Sequence, residues 1–346
     1  MPGPLGWLSR RGRVLSGSGT SRYCLASSLE AEMKHDPLRM PRRRVLATGA
    51  AFGAIIRTTS GSRPVQAQPA AAPLLTRPVP RTSEALPVIG LGTARGWGSA
   101  NDDQGARAAV VRALIAGGGR IIDTAPSYGD AERIVGDLVA ASGARPSVFL
   151  ATKLEDYSRS SGPADLRGSE QRLRTDKIDL MQLHNVSDPR QDLGMLRDWK
   201  AQGVCRYIGI TTTYHGDFDA VEAVLRREKP DFIEIDYSIE DREAEKRLIP
   251  AAAEFGVALL TAEPLGRGRL FRAVQQKPLP DWAREFGAAT WGQFFIKYLL
   301  GNPTVTAVIP GTANPAHMED NLAAGRGRPP DAAERGKMVE LFASLR

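Results

Sequence analysis

Cysteine is nearly absent: the 346 residues contain only Cys24 and Cys205. One lies near the N-terminus and one far downstream. The main body therefore has no internal disulfide and no cysteine-rich zinc site to stabilise it. No metal centre is expected. A charge surplus is missing where it would matter. Residues 1–67 hold eleven Lys and Arg against three Asp and Glu, leaving 35 basic and 36 acidic residues for the rest of the chain. The formal charge of +7 thus belongs to the N-terminal stretch. The body lacks the basic footprint that binding a phosphate backbone requires, which excludes nucleic acid as a partner. No apolar run is long enough to cross a bilayer, so a stable membrane anchor is not expected either.

What the N-terminus does have is an ordered set of signals. "PRRRVLATGAAFGAII" (41–56) places a basic cluster before twelve apolar or small residues. Such a run suits the hydrophobic region of an export signal. Arg42 and Arg43, followed by Val45 and Leu46, resemble a twin-arginine motif, and Val65-Gln66-Ala67 offers a small-residue cleavage site. The expectation is a leader over 1–67 read by export machinery. That implies a periplasmic protein, or a cytoplasmic one if the leader is not used. Residues 1–32 fit no part of such a signal, so Met33 or Met40 is the more conventional start. The Pro- and Ala-rich segment 68–82 reads as a linker, and 83–346 as the folded domain.

From residue 87 onward, short β-rich apolar runs alternate with amphipathic stretches. The runs are "PVIGLG" (87–92), "RIIDTA" (120–125), "SVFLATK" (147–153), "IDLMQLH" (178–184), "YIGITT" (207–212), "FIEIDY" (232–237), "VALLTA" (257–262) and "VTAVIPG" (305–311). Helical patterns such as "DAERIVGDLVAAS" and "DFDAVEAVLRREK" lie between them, opening on acidic residues. Near-continuous hydrophobic strands alternating with helices imply a parallel sheet covered on its outer side. Eight such units predict an α/β fold of the closed (β/α)8 TIM-barrel type. "GLGTARG" (90–96) has the spacing G-x-G-x-x-x-G. It does not match the G-x-G-x-x-G fingerprint of a Rossmann domain.

In a barrel of this kind the C-terminal strand ends build the active site. Asp123, Lys153 and His184 end the second, third and fourth predicted strands, and Tyr128 follows on the loop after Asp123. Each has an ordinary structural reading: an ion pair, a core histidine, a packed aromatic. Together they can make a proton donor. A nearby ammonium favours the phenolate and so lowers a tyrosine's pKa; a carboxylate keeps that ammonium charged. A histidine opposite can hydrogen-bond a substrate oxygen and fix its direction. No nucleophile or metal cluster accompanies the set, so the electrons must come from elsewhere. Schiff-base chemistry at Lys153 is disfavoured, because pairing with Asp123 keeps the amine protonated.

"GGRIIDTAPSYGDAE", "LATKL", "MQLHN" and "IPGTANPAHMEDN" resemble, in order and spacing, segments of the aldo-keto reductase family. The resemblance covers roughly 85–344. It implies a barrel that binds a nicotinamide dinucleotide across its C-terminal face. It also implies a catalytic tetrad: Tyr128 as proton donor, Lys153 as its partner, Asp123 as the partner of Lys153, and His184 as orienter. The activity implied is NAD(P)H-dependent reduction of an aldehyde or ketone to an alcohol. The alternative is a redox sensor or regulatory subunit that binds cofactor with little turnover.

The resemblance also implies cofactor contacts, several of them at departures from the family pattern. Thr211, Thr212 and Glu234 stand where Ser, Asn and Gln commonly grip the carboxamide. Pro264, Leu265, Gly266 and Gly268 resemble the pyrophosphate loop, with Arg267 as an anion contact. Pro310, Gly311, Thr312 and His317 occupy the 2′-phosphate region, where Gly311 and His317 replace the usual Lys and Arg. Asp320 and Asn321 meet the adenine. NADP(H) is preferred on the family pattern, with NAD(H) possible. Trp97, after the first strand, is a candidate wall of the substrate pocket.

Overall fold

The computed structural model describes residues 72–155 and 157–345. The leader predicted over 1–67 lies outside the described residues. Eight parallel strands form one sheet: β3 (Leu91–Gly92), β4 (Ile121–Asp123), β5 (Phe149–Leu154), β6 (Ile178–Leu183), β7 (Cys205–Thr212), β8 (Phe232–Asp236), β9 (Ala258–Ala262) and β10 (Val305–Val308). Neighbours in sequence are neighbours in the sheet. Parallel bridges Ile89↔Val308 and Gly92↔Gly311 then join the first strand to the last and close the barrel. Each predicted run coincides with a strand, although β5 continues one residue past its run to Leu154 and β7 begins two residues before its run at Cys205. Helices fill the intervals and cover the outside, as right-handed crossovers between parallel strands require.

Two further strands precede the barrel. β1 (Thr76–Pro78) and β2 (Ala85–Pro87) form an antiparallel hairpin. The 68–82 segment expected as a linker is therefore partly structured. The reason is burial: Val79 and Leu86 of the hairpin join the apolar cluster inside the barrel. Leu75 ties the hairpin down, donating its N–H to Gly325 O and accepting from Val88 N. At this end Glu84 accepts a hydrogen bond from Tyr207 Oη at 2.5 Å.

Strand side chains alternate between two faces, and the two apolar clusters separate along that alternation. Ile121, Phe149, Ala151, Leu180, Tyr207, Phe232, Ala258 and Leu260 pack together inside. Their neighbours Ile122, Leu150, Met181, Ile208, Ile233 and Leu259 join the layer under the helices. Two residues beyond the inward apolar set come Asp123, Lys153, Gln182 and Glu234, which must also point inward. The barrel interior is therefore greasy at the hairpin end and polar at the other. Gly209 makes room for that polar layer, since a Cβ there would stand 2.9 Å from Gln182 Oε1.

The connection after β4 is a tight turn. Tyr128 N–H bonds Ala125 O at 3.1 Å, and Gly129 follows with φ of +63°. A Cβ on Gly129 would lie 2.4 Å from Gly98 O. Both the backbone angle and the close approach demand glycine. Gly129→Ala should destabilise the protein by about 1–3 kcal/mol, measured by denaturant unfolding. A variant as stable as the wild type would remove this constraint on Tyr128.

Candidate active site

Lys153 is buried at the centre of the polar layer. Its Nζ lies 2.7 and 2.6 Å from Asp123 Oδ1 and Oδ2 and donates to Thr124 O at 3.1 Å. Glu234 Oε2 stands 3.4 Å from the same nitrogen and accepts from Gln182 Nε2 at 2.7 Å. Register explains the meeting. Asp123 pairs across the sheet with Ala151, two residues before Lys153; Lys153 pairs with Gln182; and Gln182 pairs with Gly209. Adjacent strands thus deliver successive inward side chains at one level.

Above them, the Tyr128 ring lies 5.3 Å from Lys153 Nζ and meets the His184 ring edge-on, with centroids 5.8 Å apart. His184 Nδ1 is 2.8 Å from Glu155 Oε1. The four residues expected to act together do converge. Glu155 was not anticipated, although it lies only two positions after Lys153 in the sequence.

Electrostatics refines the expected roles. Burial alone would lower the pKa of Lys153, but the Asp123 and Glu234 carboxylates outweigh it and hold the ammonium well above its ordinary range. Burial and the neighbouring Glu234 push the Asp123 carboxyl up to about 8, against the pull of Lys153. The Tyr128 phenol is held above its ordinary value. Burial dominates, and Asp123 and Glu234 add to it, so the downward pull of Lys153 is overcome. This corrects the expected lowering: Tyr128 is firmly protonated, and Lys153 limits the rise without reversing it. Burial, then Lys153, lowers the His184 imidazole, leaving it neutral at pH 7. Glu155 is held below the usual carboxylate range: burial opposes this, but hydrogen bonds from Ser127 and His184 prevail. An ionised carboxylate only accepts, so Nδ1 carries the imidazole proton and Nε2 keeps a lone pair.

A cavity of about 1060 Å³ opens over this layer, bounded by Asp123, Tyr128, His184, Thr211 and Glu234 at its floor. It is at the upper end of ligand-pocket sizes, larger than a small substrate alone requires. The cavity runs past Pro264, Leu265 and Gly268 towards Gly311, Thr312 and His317, and ends at Asp320 and Asn321. Asp320 is held by Thr290 Oγ1 at 2.9 Å and Gln293 Nε2 at 2.8 Å. Arg267 reaches the cavity but is ion-paired with Glu263. Phe271 and Trp291 line the far end and are not among the residues expected from the sequence.

Several expected contacts do not face the cavity. Thr212 is one residue out of phase with inward-facing Thr211; its hydroxyl accepts from Tyr214 N at 3.2 Å instead. Asn185 and Thr213 line the cavity near Thr211. Trp97 is fully buried, and its Nε1 donates to Thr312 O at 2.9 Å, so it braces the loop and does not wall the pocket. Arg95, two residues earlier, is on the wall. Gly266 and Pro310 shape the backbone without lining the cavity; Pro310 O accepts from Gly92 N at the barrel closure. On the same rim, His215, Asp236 and Asp241 hold ligand-type atoms within 4.8 Å of one another. His215 Nε2 there is paired with Asp241 at 2.9 Å.

A family model described as the aldo/keto reductase family matches residues 88–334. The chain belongs to the aldo/keto reductase family. It is accordingly an enzyme of an oxidoreductase family. It is 31% identical over 246 residues to an aldo-keto reductase of Mycolicibacterium smegmatis, covering 68% of this chain and 81% of that one. Over 239 residues it is 29% identical to the NADH-specific methylglyoxal reductase of Escherichia coli, covering 60% and 72%. The crystal structure of an aldo-keto reductase from Klebsiella pneumoniae in complex with NADPH superposes with a TM-score of 0.64 at 26% identity, covering 75% of this chain and 92% of that one.

The raised Asp123 carboxyl gives a test without ligand. A group with a folded pKa above its unfolded value stabilises the fold at low pH, and that stability is lost as pH rises through the folded pKa. Asp123 should therefore cost stability progressively from its ordinary value of 3.8 up to about 8. Glu234→Gln removes the repulsion, so its unfolding free energy should fall less over that window. Parallel pH curves for the two proteins would reject the proposed coupling.

Proposed function

We propose that this protein is an NAD(P)H-dependent carbonyl reductase, converting an aldehyde or ketone to an alcohol, with NADP(H) preferred and NAD(H) accepted. The observation that carries this reading is the convergence of Tyr128, Lys153, Asp123 and His184 on the floor of one long cavity. The cavity fits a dinucleotide. Its floor is polar, its middle passes the backbone of Gly268 and Gly311, and His317 stands in the first turn of the helix Pro315–Ala324. Backbone N–H groups and the helix dipole favour an anion there. Thr211 and Glu234 would meet the carboxamide; Pro264, Leu265 and Gly268 the pyrophosphate; Thr312, His317, Asp320 and Asn321 the adenosine end. The NADPH complex of the Klebsiella pneumoniae relative supports this choice of cofactor. The E. coli NADH-specific reductase is the reason to retain NAD(H).

A bound reduced nicotinamide supplies the hydride. The chain's own residues manage the proton. Tyr128, held protonated, donates from its hydroxyl to the substrate oxygen as negative charge develops there. Lys153, fixed on Asp123, stabilises the phenolate left behind. His184, locked by Glu155 with a free Nε2 lone pair, accepts from the hydroxyl of the alcohol and keeps that oxygen at Tyr128.

Adding NADPH and NADH separately to purified protein, then following nicotinamide absorbance with an aldehyde panel that includes methylglyoxal, tests the reading. Failure to bind either nucleotide would overturn it. Tyr128→Phe should lower kcat by about 10²–10⁴-fold with nucleotide affinity changed no more than about twofold. Undiminished reduction would remove Tyr128 from its role.

Export through the twin-arginine-like leader is part of the proposal and rests on the order of basic, apolar and small-residue segments over 41–67. N-terminal sequencing of native protein should find the chain beginning after Ala67. Mature material that retains the leader would reject it.

A further inference from the structure

The polar layer has an imbalance of charge that the reductase reading does not use. Lys153 brings one positive charge, and Asp123 and Glu234 bring two carboxyl groups, all three almost wholly removed from solvent. The three ammonium protons have acceptors in Asp123 Oδ1, Asp123 Oδ2 and Thr124 O. Glu234 is left with a neutral donor, Gln182 Nε2. The other groups facing Asp123 and Glu234 are Tyr128, protonated, and His184, neutral. Neither contributes a positive charge. Two buried carboxyls thus share a single ammonium, and burial and the neighbouring Glu234 raise the Asp123 carboxyl against the pull of Lys153. The free site therefore stays electrically neutral by holding one proton on the pair.

Glu234 lines the same cavity floor as Tyr128 and His184, where the reacting ring must lie for Tyr128 to act. Of the two redox states of a nicotinamide ring, only the oxidised one is cationic. We propose that Glu234 is a charge-selecting residue: the Asp123–Glu234 pair gives up its shared proton when an oxidised nicotinamide enters, so that the site binds oxidised dinucleotide more tightly than reduced. The idea rests on the cofactor assignment above. A glutamine at 234 could grip the carboxamide but would provide no such discrimination.

Linkage sets the signature. Where binding requires loss of a proton, affinity rises up to tenfold per pH unit below the pKa of that group and levels above it. NADP+ affinity should therefore climb from pH 6 towards 8, with NADPH affinity nearly flat. The two ligands share every phosphate, so their difference isolates the ring. Calorimetry of the wild-type protein at pH 7, in two buffers of unlike ionisation enthalpy, should show close to one proton released with NADP+ and none with NADPH. In Glu234→Gln the proton release and the pH slope should vanish, and the preference for NADP+ should fall at least tenfold at pH 8. Equal proton release for both ligands in the wild type, or an unchanged affinity ratio in the variant, would overturn the inference. Absence of binding by either nucleotide would instead defeat the cofactor assignment on which it stands. The wild-type measurement decides the matter even if the variant fails to fold.

Discussion

One ammonium group, Lys153 Nζ, sets the terms for the upper half of this barrel. It is buried where an isolated charge could not persist, and two other strands bring it partners. Asp123 takes two of its protons, Thr124 O takes the third, and Glu234 stands close enough to feel its charge. Removing Asp123 would strip the ammonium of two of its acceptors in a low-dielectric interior, which costs far more than a surface ion pair would gain. The ammonium therefore dictates which strands carry polar inward residues and at what level. Burial at that level, with Glu234 alongside, raises the Asp123 carboxyl against the pull of Lys153, and burial together with Lys153 lowers the His184 imidazole.

Much of the architecture was legible because parallel barrel strands are buried on both faces and read as unbroken apolar runs. "FLATKL" and "IDLMQL" carry that signal without ambiguity. The hairpin at Thr76–Pro87 leaves little trace in the sequence because its strands are three residues each and both end on proline. Only its contact with the barrel interior explains why it is ordered, and that contact is non-local. The four catalytic candidates were legible because polar residues ending greasy strands are costly unless used.

The misreadings have two origins. The resemblance pairs Thr211 with Thr212, yet strand alternation sends adjacent residues to opposite faces, and only one can reach the cavity. Trp97 was placed on the pocket wall from its loop position, whereas its depth depends on Thr312, more than two hundred residues away. The expected drop in the Tyr128 pKa considered Lys153 alone. Burial and a second carboxylate, at a position where the family pattern has an amide, reverse the balance. For Trp97 and Tyr128 the missing information was a distance between residues far apart in the chain; for Thr212 it was the local alternation of a strand.

The division of labour along the barrel axis has a consequence for how such a protein can change. Asp123, Lys153 and Glu234 sit within strands, where a one-residue insertion or deletion would turn every following side chain to the opposite face. Arg95, Glu263 and Arg267 lie on connections beyond the strand ends, and connections tolerate changes of length. Drift in those connections could redraw the mouth of the cavity many times over while the proton-handling floor stays as it is. Substrate range and chemistry are separately heritable in this chain.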